Sequence, residues 1–131
     1  MLENPKIWLV DDDQNIIDVV ERAFEKQQLS CHISVFKGAG EIISILQSSS
    51  PPTLMMIDYS MPGMDGVALI EWLKQNPDTR TLKVLLFSQF MSKDLIEKAQ
   101  KLGVYEVAVK PFSFTDWCVL ARDLCLAGHF D

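Results

Sequence analysis

"TLMMIDYSMPGMDG" occupies residues 53–66. An apolar run stops at Asp58, a loop through Pro62 and Gly63 follows, and Asp65 stands where it can cap a helix. In that helix Gly66, Leu69, Ile70 and Leu73 line one side, and the Asn76-Pro77 turn ends it. A buried strand that ends on a carboxylate is costly unless the charge has a partner. The unit is therefore a strand, a loop and a helix with a polar group at the strand end.

The same unit recurs on both sides. "IWLVDDD" (7–13) is an apolar run that stops at three consecutive carboxylates. From Gln14 to Gln28, Ile16, Val20, Ala23 and Phe24 form one stripe of a helix. CHISVF (31–36) alternates like a strand, and EIISILQ (41–47) reads as a second helix. LKVLLFS (82–88) is another apolar strand, after which Ser92 starts a helix carrying Leu95, Ala99 and Leu102, closed by Gly103. VYEVAV (104–109) ends at Lys110-Pro111. Ser113-x-x-Asp116 resembles a capping box in front of Trp117, Leu120, Ala121 and Leu124. Five strand–helix alternations with near-continuous apolar strands predict an α/β fold, a parallel sheet covered by helices on both faces. Right-handed crossovers leave the flavodoxin-like, doubly wound order 2-1-3-4-5 with five helices.

The 131 residues are one domain's worth of chain, 48% hydrophobic and 23% charged. A formal net charge of −6 argues against wholesale binding to nucleic acid or an anionic membrane, both of which need a basic face. No apolar stretch reaches the roughly 20 residues of a membrane span, and MLENPKIW does not read as a signal peptide. Cys31, Cys118 and Cys125 lack CxxC spacing and read as small residues of a reduced, cytoplasmic protein.

In such a sheet ligands bind beyond the carboxyl ends of the strands. There the chain places Asp11, Asp12 and Asp13, then Asp58, Ser88 and Lys110. Close carboxylates suit a hard divalent cation such as Mg²⁺. A lysine and a hydroxyl opposite it are what a transferred phosphoryl group requires, and an ionised aspartate can be the acceptor. Asp13, just before the first helix, reads as its cap.

VDDD (10–13), IDYSMPGMDG (57–66), Ser88 and VKPF (109–112) resemble the response-regulator receiver domain of two-component signalling. The likeness runs over essentially the whole chain, so a single receiver over 1–131 without an effector domain is expected. It implies Asp58 as phosphoacceptor, with Ser88 and Lys110 contacting the phosphoryl group. It implies Mg²⁺ held by Asp12, Asp58 and the backbone carbonyl of Ser60, with Asp11 acting largely through bound water. It also suggests a cis bond between Lys110 and Pro111. The implied partners are a histidine kinase or phosphotransfer protein and a downstream protein target. A homodimer through the face of the final helix is open, with Trp117 either exposed there or in the core.

Three positions depart from the family pattern. Gln89 stands where a small residue is common, and Phe90 stands at a position that influences phosphoryl loss; together they are expected to slow hydrolysis. Val107 stands three residues before the lysine, where an aromatic ring is usual, and Tyr105 is too far back to replace it. Two other readings stay open here: a receiver-like scaffold that is not phosphorylated, and a haloacid-dehalogenase-like phosphatase using Asp11-x-Asp13.

Overall fold

The computed structural model describes residues 4–27 and 30–129. In chain order the elements are β1 (Lys6–Val10), α1 (Gln14–Gln27), β2 (His32–Phe36), α2 (Ala39–Leu46) and β3 (Leu54–Asp58). They continue with α3 (Gly66–Gln75), β4 (Lys83–Ser88), α4 (Lys93–Lys101), β5 (Glu106–Val109) and α5 (Phe114–His129). All neighbouring strands pair in parallel, in the order β2-β1-β3-β4-β5. The expected topology is the one observed.

Alternation along each strand sends successive side chains to opposite faces, which makes two cores. Trp8, Val10, Met55, Ile57, Val84 and Leu86 point toward Ile42 of α2, Leu69, Ile70 and Leu73 of α3, and Leu95 and Ala99 of α4. Ile7, Leu9, Leu54, Met56, Leu85 and Phe87 point the other way, toward Ile17, Val20 and Phe24 of α1 and Trp117, Ala121 and Leu124 of α5. β3 lies between two strands and under both layers, so all five of its residues are buried, Asp58 included.

Side-chain caps set most helix starts. Asp13 Oδ1 accepts the Asn15 N–H at 2.9 Å, Asp65 Oδ1 the Ala68 N–H at 2.9 Å, and Ser92 Oγ the Leu95 N–H at 3.1 Å. Ser113 Oγ accepts the Asp116 N–H at 3.1 Å. Gly103 closes α4 with φ +77°, a conformation that favours glycine.

The differences from expectation are local. The buried stripe of α1 begins at Ile17, with Ile16 half-buried beside it. Gln28, the expected end of that helix, lies outside the described residues. α2 starts at Ala39, two residues early, because Gly38 is extended and lets the helix begin there. β5 starts at Glu106: the Val104 N–H goes to Ala99 O at 3.3 Å and so belongs to the end of α4. Among the described residues no peptide bond is cis, so Lys110-Pro111 is trans, the lower-energy isomer even before proline. Trp117 is 5% exposed, edge-on to Phe87 at 6.3 Å, and is a core residue rather than a surface contact. Among the described residues no helix is long and apolar enough to cross a membrane.

Candidate functional site

β1, β3 and β4 lie side by side, so the residues after their last apolar positions meet on one edge of the sheet. Three backbone bonds carry the ladder past the strand ends: Asp11 N–H to Phe36 O at 3.0 Å, Tyr59 N–H to Phe87 O at 2.9 Å, and Lys110 N–H to Ser88 O at 2.8 Å. They hold the chain firmly where Asp11, Asp58 and Lys110 project.

Asp11 is completely buried, Asp58 is 3% exposed and Ser88 6%. Asp12 and Ser60 are exposed. One carboxylate oxygen each from Asp11, Asp12 and Asp58 lies within 4.8 Å of the others. Lys110 Nζ sits 3.1 Å from Asp11 Oδ2 and 3.2 Å from Asp58 Oδ1. The same ammonium lies 5.2 Å from the centre of the Phe87 ring, whose face favours a cation. Asp12, Ser60, Ser88 and Lys110 line a cleft of about 670 Å³ together with Asp58, Gln89 and Phe90. The structure thus brings together every candidate site residue, from four different strand ends.

The charges do not balance within the protein. Burial raises the pKa of Asp11, against partial relief from the Asp13 N–H and Lys110. Burial, then the neighbouring Asp11 charge, pushes Asp58 up to about 6, although Lys110 and the Ser60 N–H pull the other way. Burial opposes the Lys110 charge, but the attraction of both carboxylates outweighs it, and its pKa lies above the ordinary lysine value. Asp11 Oδ1 accepts the Asp13 N–H at 2.9 Å. Its Oδ2, buried, has the Lys110 ammonium 3.1 Å away as its partner. Three oxygen donors and an excess of negative charge fit a hard divalent cation.

Asp13 lines the cleft, but its carboxylate is engaged as the cap of α1. Val107 is half-buried against the core. Tyr105 is 51% exposed with the Lys83 ammonium 5.4 Å from its ring centre, directed away from the cleft. Two contributors were hidden in the sequence. Phe87 reads there only as one more apolar strand residue. Gly66 reads only as part of the helix's inward side, yet a Cβ on it would stand 2.6 Å from the Asp58 carbonyl oxygen, and its N–H donates to Tyr59 O at 2.9 Å. A DG pair opening a helix shortly after a strand-ending aspartate was the available signal for such a close approach.

The family model of the response regulator receiver domain matches residues 7–121. The chain belongs to that family. This receiver is therefore of the class that works as a switch in two-component signalling. The DNA-binding transcriptional regulator NtrC of Salmonella typhimurium is 34% identical over 116 residues, covering 88% of this chain and 24% of the regulator. The receiver spans about a quarter of the length of that curated relative. Two solved structures share the fold at 20% identity. The Mn²⁺-bound form of response regulator Rcp1 has a TM-score of 0.81, covering 92% of this chain and 91% of that one. The phosphorylated cyanobacterial phytochrome response regulator RcpA has a TM-score of 0.83, with the same coverage.

Proposed function

We propose that this receiver accepts a phosphoryl group on Asp58 from a phosphohistidine of a histidine kinase or phosphotransfer protein, with Mg²⁺, and signals through a changed protein-binding surface. The observation that carries this reading is the Lys110 ammonium, within 3.2 Å of both Asp58 and Asp11 at the floor of an acidic cleft. Asp12, Asp58 and the Ser60 carbonyl would hold Mg²⁺, with Asp11 reaching it through water. When bound, Mg²⁺ supplies neutralising charge for the phosphoryl oxygens.

An Asp58 carboxylate oxygen attacks phosphorus. The P–O bond forms as the P–N bond breaks, and the electron pair returns to the imidazole nitrogen. The transfer removes the Asp58 charge that Lys110 was paired with, and the ammonium then pairs with a phosphoryl oxygen. Ser88 Oγ, buried at the cleft wall, donates to another. These are preorganised charges aimed where negative charge gathers. Gln89 and Phe90 line the same cleft, and an apolar Phe90 cannot orient an attacking water, which favours a long-lived acyl phosphate.

The test is incubation with a small phosphoryl donor and Mg²⁺, followed by intact-mass measurement. The expected product gains one phosphoryl group, loses it to hydroxylamine, and does not form in Asp58→Ala. An unmodified wild-type chain would leave the receiver as a scaffold that is not phosphorylated, the reading favoured by Val107 standing where a ring is usual.

A further inference from the structure

Phe87 is the penultimate residue of β4 and is completely buried. In the parallel ladder it stands opposite Asp58 of β3 on one side and Ala108 of β5 on the other. Its ring points into the layer of α1 and α5, where Trp117 meets it edge-on, 6.3 Å between ring centres and 86° between planes. That contact restricts how the phenyl group can turn. The Lys110 ammonium lies over the ring, 5.2 Å from its centre. The same Nζ is 3.1 Å from Asp11 Oδ2 and 3.2 Å from Asp58 Oδ1. One cation is thus held by two carboxylates and a ring face, largely shielded from water, where attraction to a ring is strongest.

We propose that Phe87 is a positioning residue for phosphoryl transfer, its ring face holding the Lys110 ammonium in place while the charge on Asp58 gives way to that of the phosphoryl group. The inference rests on the reading of Asp58 as phosphoacceptor. Phe87 touches neither the metal ligands' oxygens nor the cleft, and it acts through Lys110 alone. The partners differ in what they ask of the cation. Each carboxylate occupies one direction around the nitrogen, and the Asp58 charge is the one that the reaction removes. The ring attracts the cation through its quadrupole and brings no oxygen that competes for an N–H. A donor therefore stays available for the phosphoryl oxygen, and the ring is still there after Asp58 has reacted. A leucine at this position would fill the core equally well but would offer the ammonium no negative face.

The experiment separates the ring's charge distribution from its bulk. Pentafluorophenylalanine placed at position 87 keeps the ring's shape and apolar character but makes its face electropositive, whereas Phe87→Leu removes the ring. In the full chain with Mg²⁺ and acetyl phosphate, the maximal rate of Asp58 phosphorylation should fall about tenfold in both. The fluorinated chain should unfold thermally close to the wild type, so that its slower reaction is not a loss of fold. The Lys110 ε-methylene protons, followed by NMR without a phosphoryl donor, should be displaced by the ring current in the wild type. In Phe87→Leu they should return to the ordinary lysine position. A fluorinated chain that is phosphorylated at the wild-type rate overturns the inference and leaves Phe87 as core packing alone. So does a Lys110 signal that does not move in Phe87→Leu. A wild-type chain that takes no phosphoryl group from acetyl phosphate fails the reading of Asp58, and the role of Phe87 with it, while the Lys110 signal still reports the contact.

Discussion

Asp58 stands between a carboxylate that repels its charge and an ammonium that attracts it, in surroundings that exclude water. Burial comes first and the Asp11 charge second, and together they hold its pKa at about 6, above the ordinary 3.8. A carboxyl raised in the folded state stabilises the protein while protonated, and that contribution is lost as pH rises through about 6. In metal-free buffer at about pH 7.5, Asp58→Asn should therefore raise the unfolding free energy in urea by on the order of 1 kcal/mol, with the gain shrinking below about pH 6. Chemical denaturation at several pH values, with a chelator present, checks the sign. Phe90 invites a kinetic prediction: Phe90→Glu gives the cleft a group that can orient water, so the phosphoryl lifetime should shorten about tenfold. Loss of the intact-mass adduct with time measures it, and an unchanged lifetime would remove Phe90 from the account of hydrolysis. Asp58 and Lys110 could be read from the chain because each ends an apolar run. Phe87 could not, because its contact with Lys110 crosses from β4 to β5 and nothing in linear order marks it.

Elements are positioned here by short polar devices and by close backbone approach. The caps at Asp13, Asp65, Ser92 and Ser113 were legible because they depend on residues only two or three positions apart. Gly66 is different: its lack of a side chain lets the start of α3 lie against the end of β3, beside the phosphoacceptor candidate. Gly66→Ala should destabilise the protein by roughly 1–3 kcal/mol, since backbone must move to admit the methyl group, and should slow phosphorylation of Asp58. Gly40, in α2, has nothing within 4 Å of a built Cβ. Gly40→Ala should be neutral or stabilising by up to about 1 kcal/mol. Thermal unfolding of both variants, with phosphorylation rates, separates the two cases. The early start of α2 and the late start of β5 escaped the pattern of apolar residues for one reason. Gly38 and Val104 take their roles from backbone hydrogen bonds and dihedrals, which hydrophobic period does not encode.

Across the molecule, a cation held by the acidic cluster would couple its binding to folding. Asp11, Asp12 and Asp58 come from strands far apart in sequence, so the unfolded chain has no such site. Mg²⁺ at about a hundred times its dissociation constant should stabilise the receiver by roughly 2.7 kcal/mol, and Asp12→Asn should remove most of that gain. A rise in Tm with Mg²⁺ that persists unchanged in Asp12→Asn would place the cation elsewhere. Strand order, the number of layers and the strand-end residues all followed from linear order, because parallel crossovers and alternating burial leave few ways to fold five such units. Packing settled what pattern could not: Trp117 in the core against Phe87, Gly66 against Asp58, Lys110 shared by two aspartates, and Phe90 left in water at the cleft. The division has a physical cause. Hydrophobic period and capping are local properties of a chain, whereas burial, close approach and the sharing of one charge by several partners exist only once distant segments meet.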